Sequence, residues 1–213
     1  MSIEAVIFDL GGVVLGSPLH AIRAYERELG LAQNAINRVA AATAPHGAWS
    51  RLERGELEME TFYAEFEADC LAAGHTISAR DMMARMAGAT EPRESMLEAI
   101  RRIRAAGLRA AALTNNWASP EESSNSNDGT RALSALFDVF VESSVEGLRK
   151  PDPRIYELTC ERLAVAPTRA AFLDDIGFNL KPARALGMTT IKVDEPEPAL
   201  EELGRVLGLR LLD

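Results

Sequence analysis

Ile3–Val14 reads IEAVIFDLGGVV, an apolar run that ends on Asp9 and passes at once into the Gly11-Gly12 pair. Its β-branched and aromatic residues followed by a glycine turn predict a strand that stops abruptly. A carboxylate at the carboxyl end of an apolar strand is costly to keep ionised without a partner, so Asp9 points to chemistry rather than packing.

Outward from this strand the chain has two textures. From about Leu19 to Met86 it is helical in pattern, rich in Ala and Glu, with Leu57, Phe62, Phe66 and Leu71 at spacings that suit one helix face, and no convincing strand. After Glu91 helix and strand alternate: SMLEAIRRIRAAG then LRAAALTN, ALSALFD then VFVES, PRIYELTCERLAV then RAAFLDD, FNLKPARALG then TTIKV. Helices close on Gly107 and Gly187, the residue type that best adopts a left-handed stop. Such alternation predicts right-handed crossovers and an α/β fold, with a parallel sheet covered on both faces. The Asp9 strand joins that sheet, which assigns 1–15 and 91–213 to the core and 16–90 to an all-helical insertion, a lid over the carboxyl ends where open α/β sheets bind ligands. The polar stretch Ser119–Gly129 reads as a solvated, partly disordered connection, with a mobile active-site loop as the alternative.

With 213 residues, a net charge of −9 and 47% hydrophobic residues, the chain is long enough for one globular unit with a smaller inserted module. Its acidity argues against nucleic acid or an anionic membrane surface as main partner, because Lys and Arg are never clustered. Cys70 and Cys160 are too few and too unpatterned for a disulfide frame or metal knuckle, and are expected to be reduced and structural. No apolar run has membrane length, and the first strand begins within a few residues, so the expectation is a cytoplasmic enzyme without signal peptide or membrane insertion.

Strand ends concentrate the polar residues. The first offers Asp9; the second Thr114 with Asn115 and Asn116; the segment after VFVES offers Lys150 in RKPDP; the next strand offers Asp174 and Asp175. Neighbouring parallel strands would open all of these onto one crevice. Three carboxylates meeting there repel unless a divalent cation with oxygen ligands sits among them, and magnesium, which takes one or two carboxylates plus a substrate phosphate, suits the set.

FDLGGVV, LTNN, RKPDP and FLDDIGFN, in this order, resemble the four motifs of the haloacid dehalogenase superfamily, most of whose members are magnesium-dependent phosphatases. LTNNW, KPDPRIYEL and FLDDIGFNLKPARALGMTTIKV are similar to the amino-terminal phosphatase domain of soluble epoxide hydrolase and to the related domain fused to some acyl-CoA dehydrogenase family proteins. The resemblance spans nearly the whole chain and implies a Rossmann-like core with a helical cap inserted after the first motif. It implies a hydrolase acting on a small phosphorylated metabolite, with Asp9 as nucleophile forming an aspartyl phosphate, Thr114 holding a phosphoryl oxygen, and Lys150 neutralising charge. Asn115 and Asn116 would face substrate. Asp175 would ligate Mg2+ directly, Asp174 directly or through water, together with Asp9 and the backbone carbonyl of Gly11; Asn179 would support the metal site from behind. Taken alone, Thr114 also suits a strand-end turn, Asn179 a helix cap, Lys150 a surface ammonium and Asp174-Asp175 a turn and cap.

Gly11 departs from the pattern, since phosphatases of this superfamily usually carry there the aspartate that protonates the leaving oxygen. General acid catalysis contributes about 10²–10⁴-fold. Three readings follow: a phosphatase for leaving groups that need little protonation, or one borrowing an acid such as His20 or His46; a metal-independent haloacid dehalogenase, against which the Asp pair argues; and a catalytically weak domain binding a phosphorylated ligand or a partner protein. In the insertion, the turn at Gly55 within Trp49–Phe62 can reach the crevice, where Arg51 or Arg54 would meet a second anionic group, though a solvated helix end explains them as well. Trp49 and Trp117 suit either an apolar entrance or the core.

Overall fold

The protein is described here from a computed structural model, which covers residues 2–87, 91–117 and 133–212. Its sheet has five parallel strands, β1 (Ala5–Phe8), β2 (Arg109–Thr114), β3 (Val139–Glu142), β4 (Ala170–Asp174) and β5 (Thr189–Lys192), in the order β3-β2-β1-β4-β5. The strand carrying Asp9 is therefore central, flanked by β2 and β4, with Phe8 level with both Ala112 and Leu173. This is the Rossmann-like α/β architecture that the alternation predicts.

Strand side chains alternate between two faces, and both faces are buried, which is why the strands read as continuous apolar runs. Val6, Phe8, Ala110, Ala112, Ala171 and Leu173 pack against α6 (Glu94–Ala105) and α10 (Pro196–Leu207). Ala5, Ile7, Ala111, Leu113 and Phe172 pack on the other side against α8 (Pro153–Leu163) and α9 (Gly177–Ala185). Met96, Ala99, Ile100 and Ile103 recur at spacings of three and four along α6, giving it one apolar stripe. Its last turn ends at Gly107, whose φ of +83° lets Leu108 N–H reach back to the Ile103 carbonyl. A four-residue helix, α7 (Ser143–Glu146), follows β3 directly.

Between β1 and α6 the described residues form five helices, α1 (Pro18–Glu28), α2 (Ala35–Ala42), α3 (Ala48–Glu53), α4 (Met59–Ala72) and α5 (Ala79–Ala87). They gather around a separate apolar cluster that includes Ile22, Tyr25, Ile36, Leu52, Phe62, Phe66, Met82 and Met86. Cys70 is buried there and Cys160 is buried under the sheet; both are free thiols. The segments entering and leaving the helical insertion run side by side, with Gly16 N–H donating to Glu91 O and Arg93 N–H to Val14 O, both at 2.9 Å. Among the described residues no helix is long and apolar enough to cross a membrane. Ser119–Gly129 lies outside the described residues.

The insertion meets the sheet unit at the turn after α3. Gly55 has a φ of +69°, and a Cβ placed on it would stand 2.3 Å from the Ser144 carbonyl oxygen in α7. Gly74, at the end of α4, shares the left-handed backbone (φ +84°) but faces open space. Gly74→Ala is expected to cost only the backbone preference, about 1 kcal/mol. Gly55→Ala must also push a backbone carbonyl aside and is expected to cost about 2–3 kcal/mol, lowering Tm by several degrees more in thermal melts. Equal shifts would mean that the contact is not made.

Candidate active site

The sheet register brings the polar strand ends together. Asp9 follows Phe8 at the end of β1, and its backbone N–H bonds Leu173 O at 2.9 Å, which sets it beside Asp174. One carboxylate oxygen from each of Asp9, Asp174 and Asp175 can be chosen so that all three lie within 4.8 Å of one another. Lys150 stands between two of them, its Nζ 2.8 Å from Asp9 Oδ1 and 2.8 Å from Asp174 Oδ2. The Lys150 side chain is 1% exposed and Asp174 fully buried, so these charges meet little water and must be matched by protein or ligand.

The three carboxylates are not equivalent. Asp174 is saturated: besides Lys150 it accepts from Ile176 N–H at 2.7 Å and from Asn179 Nδ2, 3.1 Å from each oxygen. Asn179 is fixed in turn by α8, where the Tyr156 hydroxyl donates to its carbonyl at 2.7 Å. Asp175 has a buried Oδ1 with no hydrogen-bond partner. Both contacts of Asp9, from Leu10 N–H at 2.7 Å and from Lys150, fall on Oδ1, leaving Oδ2 without a protein partner among the described residues. Two acidic residues thus hold unmet oxygens, the chemistry a hard cation with oxygen ligands seeks.

Electrostatics point the same way. Burial pushes the Asp9 carboxyl up to about 8, Asp174 and Asp175 adding to the push against the pull of Lys150. Burial, then Asp174, raises Asp175 to about 6. Burial opposes the charge on Lys150, yet Asp174 and Asp9 outweigh it and hold the ammonium above its ordinary range. One cation facing three carboxylates leaves surplus negative charge, which a divalent ion would neutralise.

Gly12 and Gly11 play different steric parts. Gly12 has a φ of +84°, and a Cβ there would lie 2.2 Å from Asp175 Oδ2, so glycine is what lets the two acidic segments meet. At Gly11 a Cβ would meet only Pro18, at an ordinary 3.4 Å.

Thr114 ends β2, 6% exposed, with no protein partner for its hydroxyl among the described residues. Asn115 and Asn116, expected to face a ligand, also make hydrogen bonds within the protein. Asn115 Nδ2 donates to Lys150 O at 3.1 Å and its Oδ1 accepts from Lys150 N–H at 2.8 Å. Asn116 bonds Glu142, Ser143 and Ser144. The Asn115 amide matches the Lys150 backbone and the Asn116 amide meets the side chains of Glu142 and Ser144, pairings that reading the residues one at a time does not reveal. Arg51 pairs with Glu65 and Glu56, and Arg54 with Glu56 and the Pro45 carbonyl, so both arginines are satisfied inside the insertion. His20 and His46 are exposed. Trp49 is half-buried against Phe62, Phe66 and Trp117, with 6.1 Å between the two indole centroids. Sequence reading missed Tyr156, Glu53 and Arg149; the last two flank the singled-out Arg54 and Lys150, but nothing along the chain signals that they pair.

Comparison with known proteins gives a family match, described as haloacid dehalogenase-like hydrolase, over residues 3–187. Mouse acyl-CoA dehydrogenase family member 10 is 40% identical over 214 residues, covering 99% of this chain and 20% of its own length. Pig bifunctional epoxide hydrolase 2 is 31% identical, covering 100% of this chain and 40% of its own. The chain thus spans well under half of these two relatives. The phosphatase MT3486 of Mycobacterium tuberculosis is 33% identical, with 91% of this chain and 88% of that protein covered. Among solved structures, a Bacteroides thetaiotaomicron enzyme of the same family, in complex with magnesium and inorganic phosphate, superposes with a TM-score of 0.64 at 19% identity, covering 93% of this chain and 99% of that one.

Without metal, the native protein holds a proton on Asp9 that the unfolded chain releases near 3.8, so the contribution of this group to stability is full below that value and falls as pH rises toward about 8. A magnesium ion held by this cluster would need the deprotonated carboxylates and the folded chain. The gain in Tm on adding millimolar MgCl2 to EDTA-treated protein is therefore expected to be larger at about pH 8 than at about pH 5, and to shrink in Asp9→Asn. A gain independent of pH and of Asp9 would count against cation binding at this cluster.

Proposed function

The chain belongs to the haloacid dehalogenase-like hydrolases, and from that membership we propose that it is a magnesium-dependent phosphatase working through an aspartyl phosphate on Asp9. The observation that carries the reading is the division of labour at Asp9: Oδ1 is held by Leu10 N–H and Lys150, while Oδ2 is free of protein partners among the described residues. The phosphatase relative that this chain spans almost end to end supports the choice of reaction.

In the proposed cycle the Asp9 carboxylate attacks phosphorus, the P–O bond to the leaving group breaks, and the phosphoryl group is carried on Asp9. Water then attacks that phosphorus, inorganic phosphate departs and the carboxylate is restored. Lys150 offsets negative charge on Asp9 and on the group in transit, and the Thr114 hydroxyl donates to a phosphoryl oxygen. Asp9, Asp175 and the Gly11 carbonyl would hold magnesium, with Asp174 contributing directly or through water; the orphaned Asp175 oxygen fits that role and the saturated Asp174 fits the outer one. Bound there, magnesium supplies neutralisation and orientation of the phosphoryl oxygens. Asn179 keeps Asp174 in place. Residues 1–15 and 91–213 form the catalytic core in this reading, and 16–90 the cap that governs access of a small phosphorylated metabolite.

Phosphate release from p-nitrophenyl phosphate is expected with magnesium, to stop on adding EDTA, and to fall at least about 10³-fold in Asp9→Asn. Chloride release from haloacids in EDTA would favour the metal-independent dehalogenase instead.

Gly11 sits where the superfamily resemblance places a general acid, and a Cβ there would make only an ordinary contact with Pro18. Gly11→Asp is expected to raise kcat on alkyl phosphates by about tenfold or more, and by less on p-nitrophenyl phosphate, whose leaving group needs little protonation. Equal gains, or none, would overturn the missing-acid account.

A further inference from the structure

We infer that Glu53, in the helical insertion, is a positioning residue for Lys150, acting through Arg149 and Asn115 when the insertion is seated on the sheet unit. What is positioned matters to catalysis only under the phosphatase reading above; the linkage itself is independent of it.

Glu53 is the last residue of α3, and its side chain is 8% exposed. A carboxylate that deep needs full compensation. Trp49 Nε1 donates to Oε1 at 2.9 Å, and Oε2 receives Arg149 Nε and, at 3.4 Å, Asn115 Nδ2. Arg149 also reaches Ser50 Oγ at 3.2 Å. The partners come from three stretches far apart in the chain: α3 itself, the loop after β2, and the loop before α8. Asn115 is the middle link, because its one amide closes both the N–H and the carbonyl of Lys150. Lys150 Nζ then meets Asp9 and Asp174 at 2.8 Å each. An unbroken series of hydrogen bonds therefore runs from the insertion to the proposed nucleophile.

A buried ion pair adds little net stability compared with an apolar contact of the same volume, but it fixes direction, and breaking one side of it is costly. Glu53 belongs to the insertion, while Arg149 and Asn115 belong to the sheet unit, so the pair exists only when the two are docked. Asp9 and Thr114 are each 6% exposed, and in this proposal a phosphate ester reaches them when the two units part. Parting removes the carboxylate from Arg149 and Asn115 and loosens the loop that holds Lys150; docking restores it. Closure over substrate would thereby set the ammonium in register with the group being transferred.

The test is Glu53→Gln in the full chain, read by amide hydrogen exchange over residues 149–152 without substrate and by p-nitrophenyl phosphate turnover with magnesium. Expected are exchange over 149–152 faster by about tenfold, with β1 unchanged, and kcat lower by about tenfold with KM altered less than about twofold. Glu53→Asp should recover part of both. Unchanged exchange, or faster exchange with wild-type kcat, overturns the proposal. If Glu53→Gln loosens the whole fold, Arg149→Lys decides by the same criteria, since it keeps the charge but not the fork. Should wild-type protein release no phosphate at all, the phosphatase reading fails by itself, and exchange over 149–152 still decides whether Glu53 sets the Lys150 loop.

Discussion

A single ammonium placed between two carboxylates organises this molecule. Lys150 is almost fully buried with Asp9 and Asp174 at equal distance, and such a group is tolerated only if its partners stay put. Much of the surrounding structure serves that requirement. The sheet register sets Asp9 and Asp174 side by side on neighbouring strands, Asn115 holds the Lys150 backbone at both ends, and Asn179, itself pinned by Tyr156, braces the far side of Asp174.

The ammonium satisfies some of the acidic oxygens and not others, and this imbalance gives the site its chemical character. Asp174 has a complete set of donors, whereas Asp175 Oδ1 is buried without one. Neighbouring glycines divide the steric work. Gly12 keeps the first acidic segment close enough to Asp175 that no side chain fits between them, while Gly11 leaves space beside Pro18. The first is a constraint of packing; at the second a Cβ alone would not clash.

The helical insertion has its own apolar cluster, which Trp117 of the sheet unit joins against Trp49, and it also meets that unit through polar and backbone contacts, Gly55 against Ser144 and Glu53 against Arg149. Contacts of this kind separate at lower cost than a shared apolar core, since water can replace the hydrogen bonds that are lost. Under the inference drawn above, access to the buried strand ends and the seating of the Lys150 loop share this one joint. Since the chain spans only a fifth of mouse acyl-CoA dehydrogenase family member 10 and two fifths of pig bifunctional epoxide hydrolase 2, this unit also occurs as one part of much longer proteins.

The sequence by itself determined the sheet, the helical insertion and the acidic strand ends, because these are written in local periodicity and in apolar runs that stop on polar residues. The clustering of Asp9, Asp174 and Asp175 was legible for that reason. Tertiary structure alone decided which protein groups these side chains meet: Asn115 bonds the Lys150 backbone, Asn116 bonds Glu142, and Arg51 and Arg54 find carboxylates within the insertion. It alone also joined Glu53 to Arg149 across 96 positions of chain. Hydrogen bonds and ion pairs depend on the separation and angle of a few atoms, and those are fixed by how the elements pack rather than by the order in which residues follow one another.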